Sequence, residues 1–149
     1  MRARQASSGV VLRGHHLLCL LGFRGLGYSQ EYTSNMWRIA KLLRSAPYMS
    51  VEVRDYPDDI CQPCPFFAAG GCAEQGPESE ERARERDRAV LGRLGLRCGE
   101  PITWAELLSR VKASISSADL PQICEGCRWL PYAYCQEGVE ALDDWLANR

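Results

Sequence analysis

No stretch of this chain approaches the eighteen or so apolar residues that a membrane span needs; the longest run, Leu17 to Phe23, is seven residues long and contains Cys19. A spanning helix is therefore excluded. An export signal is poorly supported as well, because His15 and His16 abut the run and Gly25-Leu26-Gly27-Tyr28 makes a poor cleavage region, although Arg2 and Arg4 precede it. Neither sign of charge is in excess, with 18 Lys and Arg against 19 Asp and Glu. That balance points neither to disorder nor to nucleic-acid binding. The radical S-adenosylmethionine pattern Cys-x3-Cys-x2-Cys is missing, which leaves that enzyme class without support.

Cysteine is abundant, with eight in 149 residues. A chain of this length buries roughly 70% of its unfolded surface and can build a core without staples. With no convincing export signal the expected location is cytoplasmic. Thiols there stay reduced and serve as ligands or catalysts more readily than as bridges, so a disulfide framework is the lesser alternative.

The pattern of apolar residues predicts an α+β, mainly helical fold: a single small domain with one or two short strands and two cysteine-bearing loops. Residues 1–9 read as a flexible N-terminus and 10–149 as one cysteine-rich metal-binding domain. Val10 to Leu12 reads as a short strand, and His15 to Arg24 as a helix that Gly25 and Gly27 would end. A second helix is expected over about Ser29 to Arg44, with Met36, Ile39, Ala40, Leu42 and Leu43 near a 3.6-residue period. Met49, Val51 and Val53 alternate with Ser50, Glu52 and Arg54, the mark of a half-buried strand. Asp58 to Pro77 is loop-like. Glu78 to Leu94 is a charged helix read as a solvated face, with Glu78–Arg82 and Glu80–Arg84 as pairs four apart. Thr103 and Glu106 form a capping box before another helix, and a last helix is expected from about Gln136 to Ala147, with Val139, Leu142, Trp145 and Leu146 inward.

Two segments share one spacing, Cys61-x2-Cys64-x7-Cys72 and Cys124-x2-Cys127-x7-Cys135, each preceded by an isoleucine, Ile60 and Ile123. A Cys-x2-Cys step turns two sulphurs toward one point and a third cysteine adds a corner, so each segment offers three ligands and lacks a fourth. Cys19 and Cys98 remain. Cys19 has the stronger local setting, since His16 lies three and His15 four residues before it, on one helical face. Cys98 has no companion ligand. The 59 residues between Cys64 and Cys124 exceed a zinc-ribbon interval, and Cys64-Pro65 matches the Cys-Pro step of ferredoxin runs. Phe66, Phe67, Trp129, Tyr132 and Tyr134 supply an apolar shell or ordinary core, and Arg128 is a candidate countercharge to a thiolate site.

The stretch Arg13-Gly14-His15-His16-Leu17-Leu18-Cys19, then Gly25-Leu26-Gly27-Tyr28-Ser29, Asp58-Asp59-Ile60-Cys61-x2-Cys64-Pro65 and Cys124-x2-Cys127-x-Trp129, resembles the bacterial and archaeal domain of unknown function 1284 over nearly the whole chain. The resemblance implies an iron-sulphur-binding protein and names no substrate or reaction. It favours His15, His16, Cys19, Cys61, Cys64, Cys72, Cys124, Cys127 and Cys135 as the functional set. Three readings follow: an iron-sulphur protein, most simply 4Fe-4S, with a redox or electron-transfer role and a redox partner or small-molecule substrate; a zinc-stabilised binding module; and a cysteine enzyme with Cys19 as nucleophile, His15 or His16 as base and Arg13 as anion-binding group. No nucleic-acid or membrane partner is expected.

Overall fold

Alternation along Ser50–Arg54 (β2) buries Val51 and Val53 completely and leaves Ser50, Glu52 and Arg54 half-buried, as a strand with one face on the core requires. The structure is a computed structural model and describes residues 9–68 and 70–147, without the side chains of 146 and 147. β2 is the middle strand of three. On one side Val10–Arg13 (β1) pairs with it in parallel, Val10 against Val51 through Arg13 against Arg54. On the other Pro101–Thr103 (β5) pairs antiparallel, Val51 against Ile102.

A parallel pair needs a crossover. Here it consists of Gly14–Gly22 (α1) and Gln30–Ser45 (α2). Ser29 caps α2 by accepting the Tyr32 N–H at 3.1 Å, and Met36, Ile39, Ala40 and Leu43 form its buried stripe. A leucine buried as fully as Leu43 contributes about 2 kcal/mol. Ser79–Leu94 (α3), Trp104–Ser114 (α4), Leu120–Ile123 (α5), Tyr134–Glu140 (α6) and Asp143–Ala147 (α7) complete the helices among the described residues. The expected α+β, mainly helical single domain is what the chain forms. Among the described residues no helix is long and apolar enough to cross a membrane.

Several local expectations need correction. The flexible terminus lies outside the described residues up to 8, and Gly9 already donates its N–H to the Ser50 carbonyl at 3.1 Å. Five short strands form instead of one or two, because Phe67–Ala68 (β3) and Gly71–Cys72 (β4) close a small hairpin in the first cysteine loop and β5 completes the main sheet. Thr103 accepts the Glu106 N–H at 3.1 Å, while the Glu106 carboxylate turns to Arg110 at 3.3 Å rather than back to the cap. The expected last helix is two, α6 and α7, broken at Ala141 and Leu142; the Leu146 side chain lies outside the described residues.

Candidate metal centre

Helix α1 forms a wall between the two cysteine loops. Its residue Cys19 meets the second loop: the Cys19 thiol is hydrogen-bonded to Cys135, and Cys127 and Cys124 lie close enough to act on it electrostatically. The approach has a simple cause. Gly22 stands three residues after Cys19 on α1, and Gly138 three after Cys135 on α6, so each glycine shares the face of its cysteine. A Cβ on Gly22 would lie 2.5 Å from the Tyr134 carbonyl oxygen, and one on Gly138 would collide with the Leu21 carbonyl. Without side chains at either position the two backbones touch.

Four thiols therefore gather from α1, the Cys124-x2-Cys127 turn and α6. The hydrogen bond to Cys135 together with burial pushes Cys19 well up, and the same bond draws Cys135 down. Burial pushes Cys124 up to about 12 and raises Cys127. Arg86 from α3 opposes burial at both. That role belongs to Arg86 rather than the expected Arg128, which spends its charge on Glu74 at 2.6 Å. Four thiols brought together from three elements, with Arg86 as a positive charge beside them, are a donor set that fits a thiolate-bound metal group.

The first loop faces the beginning of α1. Asp58 opens it as an Asx turn, its Oδ1 accepting the N–H groups of Ile60 at 3.0 Å and Cys61 at 3.1 Å. Its Oδ2 accepts the Arg13 N–H at 2.7 Å and His16 Nδ1 at 2.9 Å. Burial works to raise this carboxyl, but His16 and these donors outweigh it and hold Asp58 well below the usual carboxylate range. A carboxylate of this kind makes His16 the donor at Nδ1 and leaves Nε2 as the ring nitrogen not committed to it. His15 is fixed the same way, Nδ1 to Asp87 at 2.7 Å. Burial pushes His15 down to about 4. Asp87 already has a countercharge in Arg13, whose Nε reaches it at 2.7 Å, so the neutral imidazole suits the buried pair.

Arg13 binds these parts together. Its guanidinium is 1% exposed and forks onto Glu80 at 2.7 and 3.1 Å, while Glu80 also accepts the Cys72 N–H at 2.9 Å. The charged helix is thus no simple solvated face: Glu80–Arg84 and Glu78–Arg82 do form on it, at 3.6 and 3.5 Å, but Glu80 and the fully buried Asp87 turn inward to Arg13. Cys72 is further held by Ser79 at 3.4 Å.

A cavity of about 70 Å³ lies between the loops, and Cys61, Cys64, Cys72, His15, His16, Cys19 and Cys127 are all in its lining. Tyr28 spans the two loops, its ring 5.1 Å from Phe66 and 5.0 Å from Trp129. Among the described residues, the only three donor atoms of His, Cys, Asp and Glu lying within 4.8 Å of one another are those of His16, Asp58 and Cys61. Those three are a hydrogen-bonded node around Asp58. Neither cysteine set is drawn in so tightly.

Of the expected nine residues, Cys19 lies beside Cys124, Cys127 and Cys135, while His15 and His16 line one cavity with Cys61, Cys64 and Cys72; Cys19 and Cys127 line that cavity as well. Cys98 stands apart, exposed, its thiol donating to Asp55 at 3.4 Å, so a scheme of two four-cysteine sites does not form. The nucleophile arrangement does not form either. Both histidines are tied to carboxylates, no hydrogen bond joins them to Cys19 among the described residues, and Arg13 is consumed by Glu80 and Asp87. Sequence reasoning missed Asp58, Glu80, Arg86 and Asp87. Only Asp58 carried a signal, standing two and three residues before the N–H groups it accepts.

No curated protein and no solved structure matches the chain. The model of the family described as "Protein of unknown function (DUF1284)" matches residues 27–133, and the chain belongs to that family.

Proposed function

We propose that the protein binds an iron-sulphur cluster at Cys19, Cys124, Cys127 and Cys135 and uses it in a redox or electron-transfer role. The observation that carries this reading is the arrival of Cys19 from α1 as a fourth thiol beside a three-cysteine loop. The protein's part is to fix the four sulphurs, to set Arg86 beside Cys124 and Cys127 as countercharge, and to limit solvent with Tyr28 and Trp129. A bound cluster would supply one-electron chemistry at a potential tuned by that shell.

Anaerobic purification tests this directly. The expected product is brown, with broad absorbance near roughly 400 nm and iron and sulphide in comparable amounts. Colourless protein carrying stoichiometric zinc would contradict the reading and favour a zinc-stabilised module.

A further inference from the structure

The first loop holds three cysteines, a saturated carboxylate and two imidazoles of fixed tautomer around one cavity, and the four-cysteine site uses none of them. We propose that Cys61, Cys64 and Cys72 hold a second iron-sulphur cluster whose fourth protein ligand is His16 through Nε2. The proposal rests on the iron-sulphur reading above and adds a site of different ligand chemistry to it.

Three observations carry it. First, Cys98 is exposed and bonded to Asp55, and the two further cysteines that border this cavity, Cys19 and Cys127, belong to the four-cysteine set proposed above, so the fourth ligand of this loop is sought among its other donors. Second, His16 is buried, and its Nδ1 is committed to Asp58 at 2.9 Å. The ring nitrogen not committed to Asp58 is Nε2, and His16 lines the cavity together with Cys61, Cys64 and Cys72. An imidazole pinned through one nitrogen by a buried carboxylate is the usual preparation of a histidine for metal ligation through the other. Third, the other Asp58 oxygen, Oδ1, accepts the Cys61 N–H, so one carboxylate sets both the first cysteine of the loop and the imidazole. A cavity of about 70 Å³ suits a polynuclear group, since one water needs roughly 10–15 Å³ by the same measure and a single ion gripped by four ligands needs less.

His15 lines the cavity too, but its anchor Asp87 belongs to α3 rather than to the cysteine loop. The ligand is therefore assigned to His16, with His15 as a neighbouring neutral imidazole. Replacing a thiolate by a neutral imidazole removes a negative charge and raises a cluster's potential, so the two sites are expected to differ.

The test is a stepwise reduction of the full-length anaerobic protein, followed by electron paramagnetic resonance, with natural and ¹⁵N-histidine-labelled chain. The expected result is two reduced signals. The one appearing at higher potential should show coupling to a histidine nitrogen that changes on labelling, survives His15→Ala and disappears in Cys61→Ser/Cys64→Ser. His16→Cys should abolish the coupling and shift that signal to lower potential. A single signal without nitrogen coupling, removed by Cys127→Ser, would overturn the second site and leave the four-cysteine reading standing. Two signals with no histidine coupling in the labelled wild type would overturn the His16 assignment whether or not any variant folds, and so would coupling lost in His15→Ala. Absence of any cluster signal would overturn both readings.

Discussion

Cys19 on α1 and Cys135 on α6 are hydrogen-bonded thiol to thiol across a helix crossing where Gly22 and Gly138 leave the two backbones in contact. Ligand placement and helix packing are one event here. The glycines let the backbones touch, and the cysteines three residues earlier on each helix are carried into contact.

Gly138→Ala is therefore expected to harm the centre without touching a ligand. Its new Cβ meets the Leu21 carbonyl, which is backbone and cannot move aside as a side chain would. Overpacking of this kind costs about 1–3 kcal/mol. Chemical denaturation should show that loss, and iron per chain should fall in the fraction that remains folded. Unchanged stability and full iron would mean that the crossing is looser than described.

Arg13→Met should be among the most damaging substitutions away from the cysteines. It leaves the fully buried Asp87 and the inward-turned Glu80 without their cation, a loss of about 3–5 kcal/mol. Arg13→Lys should recover only part of this, because an ammonium cannot span the two Glu80 oxygens and Asp87 together. Urea midpoints of the three proteins at one pH decide the order.

Acid should weaken the metal-free fold through His15. Its folded value of about 4 lies below the ordinary 6.5, so the unfolded chain takes up a proton that the folded chain refuses. The stabilisation is complete above 6.5 and is lost as pH falls from there toward 4, by up to about 1.4 kcal/mol per pH unit for one proton. Unfolding free energies at pH 7 and near pH 5 should differ more in the wild type than in His15→Gln, whose amide does not titrate. Equal slopes would show that His15 is not the group responsible.

Cys98→Ser should be nearly silent. The residue is exposed and its thiol serves only Asp55, so stability should stay within about 0.5 kcal/mol and metal content should be unchanged. Loss of metal would place Cys98 among the ligands.

What could be read from the sequence was local. The alternation of Val51 and Val53, the start of α2 near Ser29 and the two Cys-x2-Cys-x7-Cys segments each lie within a few residues of the structure they specify. Partners far apart in the chain were not legible. Glu80 and Asp87 look solvated beside Arg82, Arg84 and Arg86, and become internal only because Arg13 arrives on them from 67 and 74 residues away. Cys19 sits three and four residues from imidazoles, yet it turns to a loop more than a hundred positions later once Gly22 meets α6. β5, at three residues, is too short to show a period. The break between α6 and α7 is hidden because Val139, Leu142 and Trp145 keep a helical rhythm across it. Nothing in its spacing told the Cys124 loop from the Cys61 loop, and only the packing of α1 separated them.

The most direct measurement is iron and acid-labile sulphide per chain in anaerobically prepared wild type and Cys19→Ser. Iron and sulphide are expected in equal amounts in the wild type, and Cys19→Ser should lose about half of each or more, because the four-cysteine site is left with three thiols. Zinc in place of iron in the wild type, or a full complement of iron and sulphide in Cys19→Ser, would contradict the assignment of Cys19, Cys124, Cys127 and Cys135 as an iron-sulphur centre.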